Sequence, residues 1–111
     1  DNNLILEDNT VQPFVKIGNN NVFWSGNHIG HDVSVKDNCF LTSHVVVSGF
    51  TVLENNCFVG VNSTIRDAIT IGKFSLIGAG ATIMKSTESF SVYLANKPFK
   101  LDKKSIELKI S

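Results

Sequence analysis

Two histidines and an aspartate stand close together in the stretch GNHIGHDVSV, residues 26–35. His28 and His31 are three residues apart, and Asp32 directly follows the second histidine. A neutral imidazole accepts a proton near neutral pH, and an adjacent carboxylate stabilises the imidazolium that forms. His31 with Asp32 therefore has the composition of a general base and its carboxylate partner.

The composition narrows the classes of function. The chain has 111 residues, which suits one domain, and its ten lysines and arginines balance its ten aspartates and glutamates. No net positive field favours nucleic acid or an anionic membrane, so neither is an expected partner. The apolar runs are too short to span a bilayer and no signal peptide is recognised, which predicts a cytoplasmic protein.

An apolar residue recurs at every sixth position over most of the chain. A helix would repeat every 3.6 residues and a simple strand every two, so a period of six fits neither. The position four residues further on is mostly small or β-branched, and glycine often follows the apolar residue. The fourteen apolar positions are Ile5, Val11, Ile17, Phe23, Ile29, Val35, Leu41, Val47, Leu53, Val59, Ile65, Ile71, Ile77 and Ile83.

This period predicts an all-β fold, a parallel β-helix of four to five triangular coils. Six residues make one short strand and one corner, three such units close a coil of eighteen, and coils stack about 4.8 Å apart. Residues 1–85 form this β-helix domain. The period ends after Ile83, so residues 86–111 are predicted to form a C-terminal cap and tail, with a short helix from Asp102 to Leu108.

The predicted corners place the chemistry-bearing residues on the outside. His31 and Asp32 occupy a bend, and Gly49 lies one coil later in the same column. Its unobstructed backbone N–H is a candidate donor to the oxyanion that develops on a thioester carbonyl. A base and an oxyanion donor this close make an acyl-transfer site.

The other histidines and the two cysteines receive different interpretations. His28 lies on a flat face, where contact with an acceptor, a neighbouring subunit or solvent alone remains open. His44 lies at a corner beside Ser43, in the column that continues through Val61-Asn62 and Ala79-Gly80. Cys39 and Cys57 are one coil apart at the small inward position, so we expect them to be stacked, buried and reduced.

The stretches IGNNNVFWSGNHIGHDVSV, VVVSGFTVLENNCFVGVNSTIRDAITIG and LIGAGATI resemble the hexapeptide-repeat acyltransferases. Within them, the chain is most similar to bacterial nucleotide-sugar acetyltransferases related to sialic-acid O-acetyltransferase. The resemblance implies a left-handed β-helix that assembles as a homotrimer. It also implies transfer of an acetyl group from acetyl-CoA to an amino or hydroxyl group of a sugar or nucleotide-sugar acceptor, without an acyl-enzyme.

The resemblance also assigns roles to particular residues. His31 matches the histidine that acts as general base, and Asp32 matches the acidic residue that raises its basicity. Gly49, Val61 and Ala79 are then the residues that bind acetyl-CoA, the last two through backbone contacts with its pantetheine arm. Phe40 departs from the pattern, since some relatives have a histidine there that contacts the coenzyme.

Two other classes of function share the predicted fold. A γ-type carbonic anhydrase binds zinc through three histidines, two of them five residues apart. His28, His31 and His44 contain no such pair, so no metal site is expected. A non-catalytic β-helix for assembly or ice binding would favour flat threonine columns, which His28 and Val46 interrupt here.

Overall fold

The computed structural model describes residues 1–108 of the chain. Every strand is two residues long and ends on the apolar residue that recurs every six positions, apart from the last strand, which ends on Tyr93. The strands are β1 (Leu4–Ile5), β2 (Thr10–Val11), β3 (Lys16–Ile17), β4 (Val22–Phe23), β5 (His28–Ile29), β6 (Ser34–Val35), β7 (Phe40–Leu41), β8 (Val46–Val47), β9 (Val52–Leu53), β10 (Phe58–Val59), β11 (Thr64–Ile65), β12 (Thr70–Ile71), β13 (Leu76–Ile77), β14 (Thr82–Ile83) and β15 (Val92–Tyr93).

These strands form three parallel sheets, one on each side of a triangular prism. Sheet A has the order β1-β4-β7-β10-β13-β15, sheet B the order β2-β5-β8-β11-β14, and sheet C the order β3-β6-β9-β12. Strands that pair are one coil apart, as in the register of His28 with Val46. The predicted left-handed parallel β-helix is confirmed, with about five coils.

Each corner of the prism turns through one residue in the left-handed backbone region. From position 2 to position 80, the fourth residue of every hexad has a positive φ between 56° and 71°. Asparagine, aspartate and glycine tolerate this conformation better than other residues. This requirement explains Asn20, Asn38 and Asn56 at successive turns of one corner.

The core is a ladder of like residues along the prism axis. Inward side chains from Phe23 to Ile77 at the recurring apolar position are completely or almost completely buried. Ile5 and Val11, in the first coil, are more than 40% exposed because no strand of the described residues lies below them. Burial of this stacked apolar surface is the main driving force for the fold.

Two buried asparagines, Asn21 and Asn27, lie at corners of the first coils. Each is four residues after the recurring apolar residue, at the second position of the hexad that points inward. The Asn27 amide donates to Thr42 O at 2.8 Å, and its Oδ1 accepts the Val45 N–H at 2.8 Å. Asn21 accepts the Cys39 N–H in the same way. A buried amide is tolerated only when its hydrogen bonds are made, so these residues cross-link successive coils.

Cys39 and Cys57 occupy this same inward position, as predicted, and both thiols are free and buried. The Cys39 thiol lies 3.1 Å from Glu54 O, and that of Cys57 lies 3.2 Å from Gly72 O. The contact with Cys39, together with burial, raises the pKa of Cys57. Both side chains therefore pack as small hydrophobic residues.

The β-helix continues past Ile83 with a coil that is two residues short. Thr87 pairs with Ile71, and β15 pairs with β13 in the register of Val92 with Leu76. These offsets are sixteen residues rather than eighteen, so a strict period of six missed the last coil. Tyr93 packs against the core and helps to cover its end.

The side chains of residues 94–108 are exposed. The predicted helix from Asp102 to Leu108 is wrong in extent, because only one 3-10 turn forms, at Ser105–Glu107. The boundary between residues 85 and 86 stays a prediction. No helix within residues 1–108 is long and apolar enough to cross a membrane.

Candidate active site

His31 and Asp32 form a turn on the corner between sheets B and C, hereafter the B–C corner. Its turns are Pro13-Phe14, His31-Asp32, Gly49-Phe50 and Asp67-Ala68. Strand β5 holds His31 from one side and β6 holds Asp32 from the other, while the His31 N–H donates to Gln12 Oε1 at 2.9 Å. The backbone of this turn is thus held on both sides by the core.

The His31 ring and the Asp32 carboxylate contact each other. His31 Nδ1 lies 3.2 Å from Asp32 Oδ2, and the two side chains are 53% and 38% exposed. This contact favours the tautomer with the proton on Nδ1, where it can be donated to the carboxylate. The unprotonated Nε2 is then left to accept a proton from a bound molecule.

Gly49 lies directly beside the imidazole in the next coil. A Cβ atom placed on Gly49 would lie 2.9 Å from both Cε1 and Nε2 of His31. The Gly49 N–H has no acceptor among residues 1–108. The predicted proximity of His31 and Gly49 is therefore observed, and Gly49 has a free backbone N–H.

Two further residues belong to this corner and were not selected from the sequence. A Cβ on Gly30 would lie 2.7 Å from Gly49 N, so only glycine lets the two coils approach this closely. The ring of Phe50 packs edge-to-face against His31, with centroids 5.1 Å apart and planes at 87°. Gly30 stacks on Ser48, the residue before Gly49, so the sequence places the two glycines next to each other in successive coils. This spacing was a usable signal for Gly30.

Val61 and Ala79 lie on a different corner, between sheets A and B. This corner is hereafter the A–B corner. Its turns are Glu7-Asp8, Ser25-Gly26, Ser43-His44, Val61-Asn62 and Ala79-Gly80. Neither the Val61 N–H nor the Ala79 N–H donates to an acceptor within residues 1–108. Both are free to bind a carbonyl of an extended ligand.

An apolar groove of about 470 Å³ contains both residues. Its lining residues are Trp24, Thr42, Ser43, Phe58, Gly60, Val61 and Ala79. Thr42 and Gly60 follow the recurring apolar residue one coil apart, and their small size creates the recess beside Trp24. Trp24 and Phe58 were not selected from the sequence, although the small residues Thr42 and Gly60 in the column of Trp24 were a usable signal.

Trp24 and Phe58 line this groove, and Phe40 lies between them. Phe40 contacts Trp24 edge-to-face at 5.2 Å between centroids and stacks on Phe58 at 5.4 Å. Phe40 is the position at which some relatives were expected to have a histidine. Here its ring joins an apolar surface rather than supplying a polar contact.

The three histidines lie at three different places. His28 points outward from sheet B, His31 is on the B–C corner, and His44 is on the A–B corner, where its ring lies against Gly26. Among residues 1–108, no three histidine, cysteine, aspartate or glutamate side chains come together to hold a metal ion.

The repeat and its coils identify the family of the chain. A family described as bacterial transferase hexapeptide (six repeats) matches residues 14–49 and 50–85, well over half of the sequence. The chain belongs to the bacterial transferase hexapeptide family. The resemblance found in the sequence is thus confirmed at the level of the family.

A curated relative has been named for an acyl transfer reaction. The chain is 26% identical over 103 residues to an acyl-[acyl-carrier-protein]–UDP-N-acetylglucosamine O-acyltransferase of Nautilia profundicola, which covers 86% of this chain and 40% of the relative. The hexapeptide chain therefore spans less than half the length of that relative.

Solved structures share the fold. One is a serine acetyltransferase in complex with cysteine, with a TM-score of 0.69, 16% identity and coverage of 86% of this chain and 42% of that chain. Another is the acetyltransferase domain of PglB from Neisseria gonorrhoeae in complex with acetyl coenzyme A, with a TM-score of 0.56, 23% identity and coverage of 88% and 52%. These likenesses concern the fold alone.

Proposed function

We propose that this chain transfers an acetyl group from acetyl-CoA to an amino or hydroxyl group of a sugar or nucleotide sugar. The observation that carries the proposal is the B–C corner, where the His31 imidazole contacts Asp32 and lies beside Gly49, a residue whose N–H is free. A proton acceptor and an unpaired backbone donor on one exposed corner suit attack on a thioester.

The proposed reaction is a direct displacement. His31 Nε2 takes the proton from the acceptor O–H or N–H as its oxygen or nitrogen forms a bond to the acetyl carbonyl carbon. The Gly49 N–H donates to the carbonyl oxygen as negative charge develops there. The carbon–sulfur bond then breaks, and the proton held by His31 passes to the departing thiolate of CoA.

The groove at the A–B corner is proposed to bind the pantetheine arm of acetyl-CoA. Its apolar wall, formed by Trp24 and Phe58, suits the methylene groups of the arm. The free N–H groups of Val61 and Ala79 suit its amide carbonyls. The PglB domain, which shares the fold, is described in complex with acetyl coenzyme A, and this supports the choice of donor.

The acceptor class is proposed from the relatives. The Nautilia enzyme is named for O-acylation of UDP-N-acetylglucosamine, with an acyl carrier protein as the donor. An exposed corner with an uncharged Nε2 can serve either an amino or a hydroxyl acceptor. The donor and the acceptor must therefore be tested separately, with acetyl-CoA compared against acyl-[acyl-carrier-protein].

A homotrimer would bring the two halves of the proposed site together. His31 and Gly49 lie on the B–C corner, whereas Val61 and Ala79 lie on the A–B corner, at the opposite edge of sheet B. If sheet A of one copy packs against sheet C of the next, the A–B corner of the first lies next to the B–C corner of the second. Three copies can close this heterologous contact into a ring.

The outer surface of sheet A supports this arrangement. The outward residues of sheets B and C are mostly polar, whereas the six outward residues of sheet A are all apolar. The six are Leu4, Val22, Phe40, Phe58, Leu76 and Val92. A contiguous apolar face of this kind marks an interaction surface. Sedimentation should give a trimer at micromolar concentration, and a monomer there would contradict the arrangement.

The experiment that tests the function is a comparison of two histidines. His31→Ala should lower kcat by about 10²–10⁴-fold, the usual contribution of a positioned base. The KM for acetyl-CoA should change little, because the groove residues lie on another corner. His28→Ala removes the same ring from the flat face of sheet B and serves as the matched control. If His31→Ala keeps near-normal turnover while His28→Ala does not, the assignment is wrong.

A further inference from the structure

Phe50 occupies a corner position that is unfavourable for its side chain. Its φ is 60°, in the left-handed region, where a bulky residue is rare. Nine of the equivalent corner positions hold residues that tolerate this conformation: Asn2, Asp8, Asn20, Gly26, Asp32, Asn38, Asn56, Asn62 and Gly80. Phe50 is also 58% exposed, so burial in the core does not account for the phenylalanine.

The contact that Phe50 makes is with His31. The two rings are perpendicular, with their centroids 5.1 Å apart. Phe74 and Phe90, at other left-handed positions, are accounted for differently because they stack on each other at 5.1 Å. Residues with backbone strain cluster at functional sites, where the surrounding structure holds them in place.

We infer that Phe50 is a positioning residue for His31, an inference that rests on the proposed function. The His31 side chain is half exposed, and its hydrogen-bonding partner is the adjacent Asp32. One hydrogen bond between neighbouring exposed residues leaves the ring free to rotate into solvent. The Phe50 ring closes one side of that space and keeps Nε2 beside Gly49.

The inference separates turnover from donor binding. Phe50 is on the B–C corner and does not line the groove that contains Val61 and Ala79. Its loss should therefore lower kcat and leave the KM for acetyl-CoA within about twofold of wild type. A misplacement of about 1 Å at a reacting group can cost roughly 10²-fold in rate, so we expect a fall of about 10- to 100-fold.

The test uses Phe50→Asn, Phe50→Tyr and Phe14→Asn in the full chain. Asparagine suits the left-handed backbone, so Phe50→Asn should keep or raise the melting temperature while kcat falls. Phe50→Tyr retains the ring and should keep kcat near wild type. Phe14→Asn makes the same replacement at an exposed left-handed position two coils earlier on the B–C corner and should leave kcat unchanged.

Three kinetic results would overturn the inference. They are full kcat in Phe50→Asn, a loss in Phe50→Tyr as large as that in Phe50→Asn, or an equal loss in Phe14→Asn. A melting temperature that falls in parallel with kcat would also contradict it, because it would indicate a structural role alone.

Nuclear magnetic resonance provides a readout that does not depend on activity. The Phe50 ring should displace the chemical shifts of the His31 imidazole protons, and Phe50→Asn should return them towards the values of an exposed histidine. If wild-type protein transfers acetyl to no acceptor, the proposed function fails, and these shifts still decide whether Phe50 orders His31. Unchanged His31 shifts in Phe50→Asn would refute the positioning role.

Discussion

Replacing Gly49 by alanine should separate activity from stability. The added Cβ would lie 2.9 Å from Cε1 and Nε2 of His31, whereas ordinary contacts begin near 3.4 Å. The ring must therefore move by about half an ångström to restore an ordinary contact. Since a misplacement of about 1 Å can cost roughly 10²-fold in rate, this movement should lower kcat by about tenfold.

The stability of Gly49→Ala should change little. The atoms that the new Cβ meets at the shortest distance belong to the exposed His31 ring, which can move into solvent. Alanine also stabilises by about 0.4–1 kcal/mol by restricting the unfolded chain, which offsets part of the cost of the contact. Gly49→Val fills more of the same space and should lower kcat further.

Gly72→Ala is the matched control for the same atom added elsewhere. Its Cβ would lie 2.6 Å from Ser89 N and 2.7 Å from the carbonyl carbon of Glu88, both backbone atoms of the last coil. Backbone cannot move aside as a side chain does, so we expect a destabilisation of about 1–3 kcal/mol. For a domain of this size that lowers the melting temperature by roughly 4–8 °C per kcal/mol.

The assay measures release of the CoA thiol with a fixed acceptor, together with thermal unfolding of each variant. The expected pattern is loss of turnover without loss of stability in Gly49→Ala and loss of stability in Gly72→Ala. Full turnover in Gly49→Ala would remove Gly49 from the site. A large fall in its melting temperature would show that the His31 ring cannot yield, and would refute the structural reasoning.

Three further outcomes are expected. Asp32→Asn should lower kcat by about tenfold, less than loss of the His31 ring, because only the partner of the base is lost; a larger loss than in His31→Ala would contradict this order. Trp24→Ala should raise the KM for acetyl-CoA several-fold with little change in kcat, and an unaltered KM would exclude the groove as the donor site. The contact with Cys39 and burial raise the pKa of Cys57, so the folded protein keeps the thiol proton at pH values above the ordinary thiol pKa. The free energy of unfolding should therefore fall as the pH rises past that ordinary value. Thiol labelling of the native protein should stay slow, and rapid labelling would refute the burial of the cysteines.

The repeat in the sequence determined the fold almost completely. Because each hexad contains one strand and one corner, the period alone predicted that Ile29 points inward and that His31 and Asp32 lie at a bend. It also predicted that Gly49 lies beside His31, since residues eighteen apart stack at the inter-strand spacing. The stacked and buried cysteines followed from the same arithmetic.

The prediction from the repeat is wrong where the period changes. The coil after Ile83 is two residues short, and Thr87 pairs with Ile71 instead of standing outside the β-helix. A strict count cannot register a deletion inside a turn, because the strand pairing that restores the register is a contact between distant residues. The predicted helix from Asp102 to Leu108 rested on local pattern alone and reduced to a single 3-10 turn.

The sequence by itself determined which residues share a corner, because position in an eighteen-residue coil is a matter of counting. The tertiary structure decided how their side chains meet there. The edge-to-face contact of Phe50 with His31 and the groove between Trp24 and Val61 depend on rotamers and on the lateral spacing of neighbouring coils. These quantities are set by the packing of whole coils against one another, and no single hexad encodes them.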